Sequence, residues 1–174
     1  MKRRSAVQAE LKQRLPFPSA RQEAFLGLLH TAAVMRRPVA RVIEGRQLSM
    51  AQYNVLRILR GAGDAGLPTL GIRERMIEEA AGITRLIDKL ERVSLVRRSR
   101  QGSTDRRQVY CHITQDGLAL LRDLDPLVNL AVEASLAMLT EPDLESLIGY
   151  LDRIRADAPR GARVRGGIAA RKAR

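Results

Sequence analysis

From residue 22 the apolar positions fall three and four apart. Phe25, Leu28, Leu29, Ala32, Ala33 and Met35 make one helical face, and Val39, Val42 and Ile43 continue it to about Gly45. Pro38 lies inside this pattern, and proline removes a helical donor and crowds the preceding turn, so a kink or break is expected near Arg37–Pro38. Ser49 starts a second helix. With Gln52 three residues on it forms a capping box, Leu48 and Tyr53 are placed for a hydrophobic staple, and Val55, Leu56, Ile58 and Leu59 follow before Gly61 and Gly63. Thr69 is the expected N-cap of a short helix over Leu70–Met76. A third helix runs from about Glu79 to Val93, its inward stripe being Ile83, Leu86, Ile87, Leu90 and Val93.

After Ser94 the period changes from helical to two. Val109, Cys111 and Ile113 alternate with Tyr110 and His112, as in a half-buried strand, and Leu95-Val96 starts its partner across a turn cluster at 101–104. Thr114 then caps a long helix from about Gln115 to Leu139. A last helix opens at Thr140-Glu141-Pro142-Asp143, and Pro159 ends it.

This order predicts a mainly α fold with a small β-hairpin wing: a winged helix-turn-helix plus a helical dimerisation region. The organisation expected is a flexible basic arm (1–19), a folded domain (20–158) and a disordered basic tail (159–174). Within the domain a DNA-binding lobe spans about 49–114, with dimerisation helices at about 20–46 and 115–158. The terminal helices carry more apolar positions than a small three-helix core can bury, which predicts a homodimer.

Charge sharpens the picture. The 174 residues carry a net charge of +12. Residues 1–14 hold +4 and residues 159–174 hold +6, Arg92–Arg107 holds +5, and residues 115–158 hold −6. A polyanion binds the cationic segment and avoids the anionic one. In a winged helix-turn-helix the second helix of the pair enters the major groove, where base edges are distinguishable. Thr84 and Arg85 are the early exposed positions of that helix, with Ala80, Ala81 and Gly82 allowing close approach. Arg85 can bond guanine bidentately or reach a phosphate, and Lys89, one turn on, suits a phosphate. Around the hairpin tip, Arg100, Arg106 and Arg107 suit a narrow minor groove. Asp105 is either an orienter of Arg107 or Arg85, or a solvated turn aspartate.

Several classes are disfavoured. One cysteine excludes an internal disulfide. The apolar stretch Ala24–Met35 is too short to span a bilayer, and Lys2-Arg3-Arg4 leads into polar residues, so neither a membrane partner nor a secretory signal is expected and the cytoplasm is the expected location. No phosphate loop, nucleophilic triad or carboxylate pair points to an enzyme. Cys111 and His112 project to opposite strand faces and cannot share a metal, so no metal or cofactor is expected. Cys111 reads as a small core residue rather than a redox sensor, which needs exposure and a lowered pKa. His30 and Tyr53 either line a ligand pocket among the first two helices and the long C-terminal one, or are satisfied core groups. The remaining rival is a non-specific nucleic-acid-binding or architectural protein driven by the arginine-rich tails.

Five motifs in this order, Ile72-Arg-Glu-Arg-Met76, Gly82-Ile-Thr-Arg-Leu-Ile-Asp-Lys-Leu-Glu-Arg92, Leu95-Val-Arg-Arg98, Asp105-Arg-Arg107 and Ile113-Thr-Gln-Asp-Gly117, resemble the MarR family of bacterial transcription regulators over roughly residues 22–155. The resemblance implies an obligate homodimer held by the first and last two helices. It also implies a near-palindromic double-stranded DNA site and release by a small-molecule effector or an oxidant. Thr84 and Arg85 match recognition-helix positions, Asp105 and Arg107 match the wing motif, and Ser49 and Tyr53 match the start of the family's second helix. The chain departs from the family pattern at Glu78 and Glu79, where acids would repel phosphate, at Ser94, where a positive φ would carry strain, and at Pro38.

Overall fold

The computed structural model describes residues 6–78, 82–100 and 109–157. Glu79, Ala80, Ala81, the turn 101–104, Asp105, Arg106, Arg107 and the tail 159–174 lie outside the described residues. The chain divides into two compact units, the first ending at Ser135 and the second starting at Leu136.

In the first unit a short helix α1 (Ala6–Glu10) precedes α2 (Ala20–Glu44). The Ser19 hydroxyl caps α2, accepting from the Gln22 amide at 3.2 Å. Of the kink or break expected at Pro38, a break is absent, because α2 continues through it to Glu44. The residues after the proline explain this. Val39 and Val42 pack on the core and Ile43 is fully buried, so burial holds the last turns in register.

Helix α3 (Met50–Ala62) starts at the expected capping box: the Ser49 Oγ accepts from Gln52, and the Gln52 Oε1 accepts from the Ser49 amide at 2.9 Å. A 3-10 turn (Gly63–Ala65) leads into a two-residue strand β1 (Leu67–Pro68), which sequence periodicity did not indicate. Helix α4 (Thr69–Glu74) follows directly. Thr69 is its first helical residue rather than its cap; Pro68 occupies the cap position with no side-chain bond.

Helix α5 (Ile83–Arg92) buries Ile83, Ile87 and Leu90. Val93, expected on the same stripe, lies past the helix end and is 58% exposed. Ser94 adopts φ +60°, the left-handed turn anticipated there. Strands β2 (Val96–Ser99) and β3 (Tyr110–Ile113) pair antiparallel, and β1 joins β3, giving the order β1-β3-β2. The Thr114 hydroxyl donates to the Ser94 carbonyl at 2.7 Å and accepts from the Gly117 amide at 3.1 Å, locking the hairpin exit to the start of α6 (Gln115–Leu136). Ile43, Val55, Leu56, Leu59, Ile72, Ile87, Leu90, Val96, Cys111, Leu121 and Leu124 are the fully buried side chains of a single core.

His112 is the clearest departure from simple alternation. It was expected on the outer strand face, yet it is buried like Cys111 beside it. The added strand β1 brings Gly66 over the ring: a Cβ at Gly66 would lie 2.6 Å from the His112 Nδ1 and from the Cys111 carbonyl oxygen. Gly66 has φ +62°, so only glycine fits without strain.

The second unit contains α7 (Glu141–Asp157). Its first turn is fixed by Asp143, whose carboxylate accepts from the Thr140 amide at 3.0 Å and hydroxyl at 2.6 Å. Those two bonds hold the Asp143 carboxyl below the usual carboxylate range. Ile148, Tyr150 and Ile154 are exposed on α7.

Candidate nucleic-acid interface

The core stripe of α5 determines which of its side chains face outward. With Ile83, Ile87 and Leu90 buried, the helical period leaves Thr84, Arg85, Lys89 and Arg92 exposed. The helix opens at Gly82, whose φ of +89° turns the chain sharply into the first turn. The Gly82 carbonyl accepts from the Arg85 amide at 2.9 Å. Thr84 and Arg85 thus sit where the sequence placed them, at the open end of the second helix of the α4–α5 pair.

Helix α5 also carries two acids, and the wing strand disposes of both. The Arg98 guanidinium on β2 donates to the Asp88 Oδ1 at 2.6 Å and to the Glu91 Oε2, while the Arg98 amide donates to the Glu91 Oε1 at 3.1 Å. Burial alone would lower the Arg98 pKa, but bonds and charge from Asp88 and Glu91 outweigh it and hold the pKa above the ordinary arginine value. With those acids matched, Arg85, Lys89 and Arg92 form an excess of positive charge on the outer face. In the sequence Arg98 is simply the last residue of the Leu95-Val-Arg-Arg98 motif. Its role was hidden because it depends on which strand face meets the helix.

The loop before α5 is tied down in two ways. The Asn54 Oδ1 on α3 accepts from the Ile77 amide at 3.1 Å. Arg36 on α2 pairs with Glu78 at 2.6 Å. The repulsion expected from Glu78 is thereby offset within the protein. Arg73 and Arg75, at the end of α4, are exposed as well; the order of elements gave no reason to single them out. Arg100, just past β2, is exposed, while Asp105, Arg106 and Arg107 fall outside the described residues.

The other singled-out residues separate. His30 pairs through Nε2 with Glu10 of α1 at 2.9 Å. Tyr53 is buried in the core, with the Arg57 guanidinium 5.9 Å from its ring centroid. Burial raises the Tyr53 pKa, nearby Arg57 lowers it, and nearby Asp125 raises it further. Neither His30 nor Tyr53 is among the residues lining the cavity beside Arg57 and Arg75 or the one beside Arg60 and Leu118. Cys111 is fully buried, and burial pushes its thiol pKa up against the opposing pull of Arg98 and Thr69. That fits a core residue rather than a reactive thiolate.

Among the described residues no helix is long and apolar enough to cross a membrane. The MarR family model matches residues 48–109. The chain is 30% identical over 111 residues to the HTH-type transcriptional regulator MhqR of Bacillus subtilis (strain 168), covering 64% of this chain and 74% of that protein. The crystal structure of a MarR transcription factor from Planctomyces limnophilus is 38% identical, with a TM-score of 0.60 and coverage of 79% of this chain and 99% of that one. BpsR of Bordetella bronchiseptica, a structure concerned with regulation of DNA binding by 6-hydroxynicotinic acid, has the same fold. It matches at TM-score 0.68 and 24% identity over 83% of this chain and 99% of that one.

Proposed function

The chain belongs to the MarR family of transcription regulators, and from that premise we propose that it is a homodimeric, sequence-specific repressor acting on double-stranded DNA in the cytoplasm. In this reading α5 lies in a major groove, with Thr84 and Arg85 at the base edges and Lys89 on a phosphate. Arg100 and the wing residues Asp105, Arg106 and Arg107 run along the flanking minor groove. Paired half-sites lie about one helical turn, ~10 bp, apart. A small-molecule effector releases the dimer, as the 6-hydroxynicotinic acid of BpsR suggests by analogy. Repression is the simplest outcome, since a dimer seated on a promoter needs no further contact to block it.

The observation that carries the reading is the outer face of α5. Its basic side chains are exposed while both of its acids are matched by Arg98. A folded protein gains little by arranging charge this way unless a polyanion is the partner. Support for the dimer comes from apolar side chains left in water: Phe25, Leu28, Leu29 and Val34 on α2, Leu127 and Leu130 on α6, and Ile148 and Ile154 on α7. In each unit by itself, exposed apolar side chains of this kind are what an association surface would bury.

The test is fluorescence anisotropy with the duplex from upstream of the protein's own gene, against a scrambled duplex of equal composition, at about 150 mM salt. A preference of ~10³-fold or more is expected. Equal affinity for both duplexes, falling steeply with salt and lost on removing residues 1–19 and 159–174, favours the alternative of a non-specific nucleic-acid binder. The +10 carried by the two tails is what keeps that alternative in view.

A further inference from the structure

A cavity of about 400 Å³ opens at the root of the wing, between the end of α3, the sheet and the start of α6. The β2–β3 register sets Arg97 directly opposite His112, so the two side chains stand together on the sheet face turned away from Arg98 and Cys111. Both line the cavity. His112 is 8% exposed, and among the described residues neither of its ring nitrogens, both shielded from solvent, has a hydrogen-bond partner. A buried imidazole with a donor and an acceptor both unused calls for an explanation. Gly66 fixes the ring in this place.

The remaining walls define a charge pattern. Arg60 lines the cavity but is engaged by Asp125 at 2.5 Å. Among the described residues Arg97 and Asp64 form no ion pair, and they leave one positive and one negative group on the walls. The 22-residue helix α6 begins here. Thr114 satisfies the amides of Gly117 and Leu118, which leaves those of Gln115 and Asp116 open at the positive end of the helix dipole. Ile113 and Leu118 supply apolar surface.

We propose that this cavity binds a small zwitterion, an α-amino acid with an apolar side chain. The carboxylate lies against Arg97 and the open amides of α6; the ammonium faces Asp64; the side chain rests on Ile113, Leu118 and the flank of the His112 ring. A plain anion meets Asp64, and a plain cation meets Arg97, so only the doubly charged ligand satisfies both walls. The site does not depend on the DNA reading, since no residue of it lies on the outer face of α5.

The experiment uses the full chain. Thermal unfolding is recorded with each of the protein amino acids at about 10 mM, where a Kd of about 0.1 mM gives a clear rise in Tm by mass action. The best binder is then compared, by isothermal titration, with its deaminated acid and its decarboxylated amine. At least one apolar amino acid raises Tm, and each truncated analogue binds roughly 10-fold weaker or worse, as expected for loss of a charge-assisted contact. Arg97→Gln abolishes binding, Arg97→Lys retains part of it, and Asp64→Asn brings the amino acid and its deaminated acid to equal affinity. Both side chains are exposed and, among the described residues, in no ion pair, so the unliganded variants keep the wild-type Tm. The proposal is overturned if no amino acid shifts Tm, if the deaminated acid binds as tightly as its parent, or if Arg97→Gln binds like the wild type.

Discussion

Replacing Arg98 by methionine tests the link between the wing and α5. The change keeps much of the aliphatic stem and removes the guanidinium that meets Asp88 and Glu91. Breaking a fully buried ion pair costs about 3–5 kcal/mol, and an exposed pair is worth about 0–1 kcal/mol. The Arg98 side chain is 25% exposed, against 46% for Asp88 and 38% for Glu91, so solvent screens the two carboxylates that are left behind. The Glu91 carboxylate also keeps the Arg98 amide as a donor. These facts place the loss near the lower end, about 1–2 kcal/mol, or roughly 2–8 °C in Tm for a chain of this size. The loss in DNA affinity should exceed that figure, because two unmatched negative charges then stand beside Lys89 and Arg92. Urea unfolding gives the first quantity and operator anisotropy the second. Adding Asp88→Asn and Glu91→Gln to Arg98→Met should restore most of the affinity, the coupling that a double-mutant cycle isolates. Unchanged stability and affinity in Arg98→Met, or no recovery in the combined variant, refutes the linkage.

Three further outcomes follow from the same contacts. Arg85→Ala costs about 1–3 kcal/mol of operator binding and relaxes sequence preference; equal weakening on every duplex in the anisotropy assay makes it a phosphate contact instead. Gly66→Ala forces a Cβ to 2.6 Å from the Cys111 carbonyl and the His112 ring at a positive φ, and is expected to cost about 2 kcal/mol or more in urea unfolding; wild-type stability rules out the packing of β1 on β3 described above. Cys111 in the native protein reacts with iodoacetamide far more slowly than in the unfolded chain. Its pKa is raised by folding, so its stability contribution is complete below the free thiol's range of about pH 8.5 and declines as pH climbs through the folded value; fast native labelling at neutral pH contradicts this.

The features that could be read in advance are the ones specified by neighbours in sequence. Ser49 and Gln52 are three residues apart, and their reciprocal bonds need nothing else from the fold. The positive φ of Ser94 and the Thr114 cap at the start of α6 are local in the same sense. The misreadings trace to pairings across the chain. Strand β1 has only Leu67 and Pro68, too short for any period, yet its pairing with Tyr110 and Cys111 takes Thr69 out of the cap role and buries His112 beneath Gly66. The stripe through Val93 failed because φ-positive Ser94 ends the helix and turns the chain before another inward position is reached. At Pro38 the local penalty was real, but tertiary burial of Ile43 outweighed it. Thr84, Arg85 and Lys89 were legible because an amphipathic helix of ten residues declares its outer face by its inner one.

The acids near α5 show why a charge count over a sequence segment misleads. Over residues 78–92 the acids Glu78, Glu79, Asp88 and Glu91 outnumber Arg85, Lys89 and Arg92. In the fold Glu78 is matched by Arg36, and Asp88 and Glu91 by Arg98; Glu79 lies outside the described residues. The described outer face of α5 is therefore cationic although residues 78–92 carry a net charge of −1. The two arginines differ in what they do. Arg36 and Glu78 are both well exposed, so their attraction adds little stability and its main effect is to cancel a negative charge just before α5. Arg98 is half-buried and holds two carboxylates at once, so it cancels charge and also fixes the wing strand to the helix. Removing either arginine exposes an acid as well as deleting a cation. The effect on polyanion binding is therefore larger and more salt-sensitive at Arg36 than its contribution to folding would suggest.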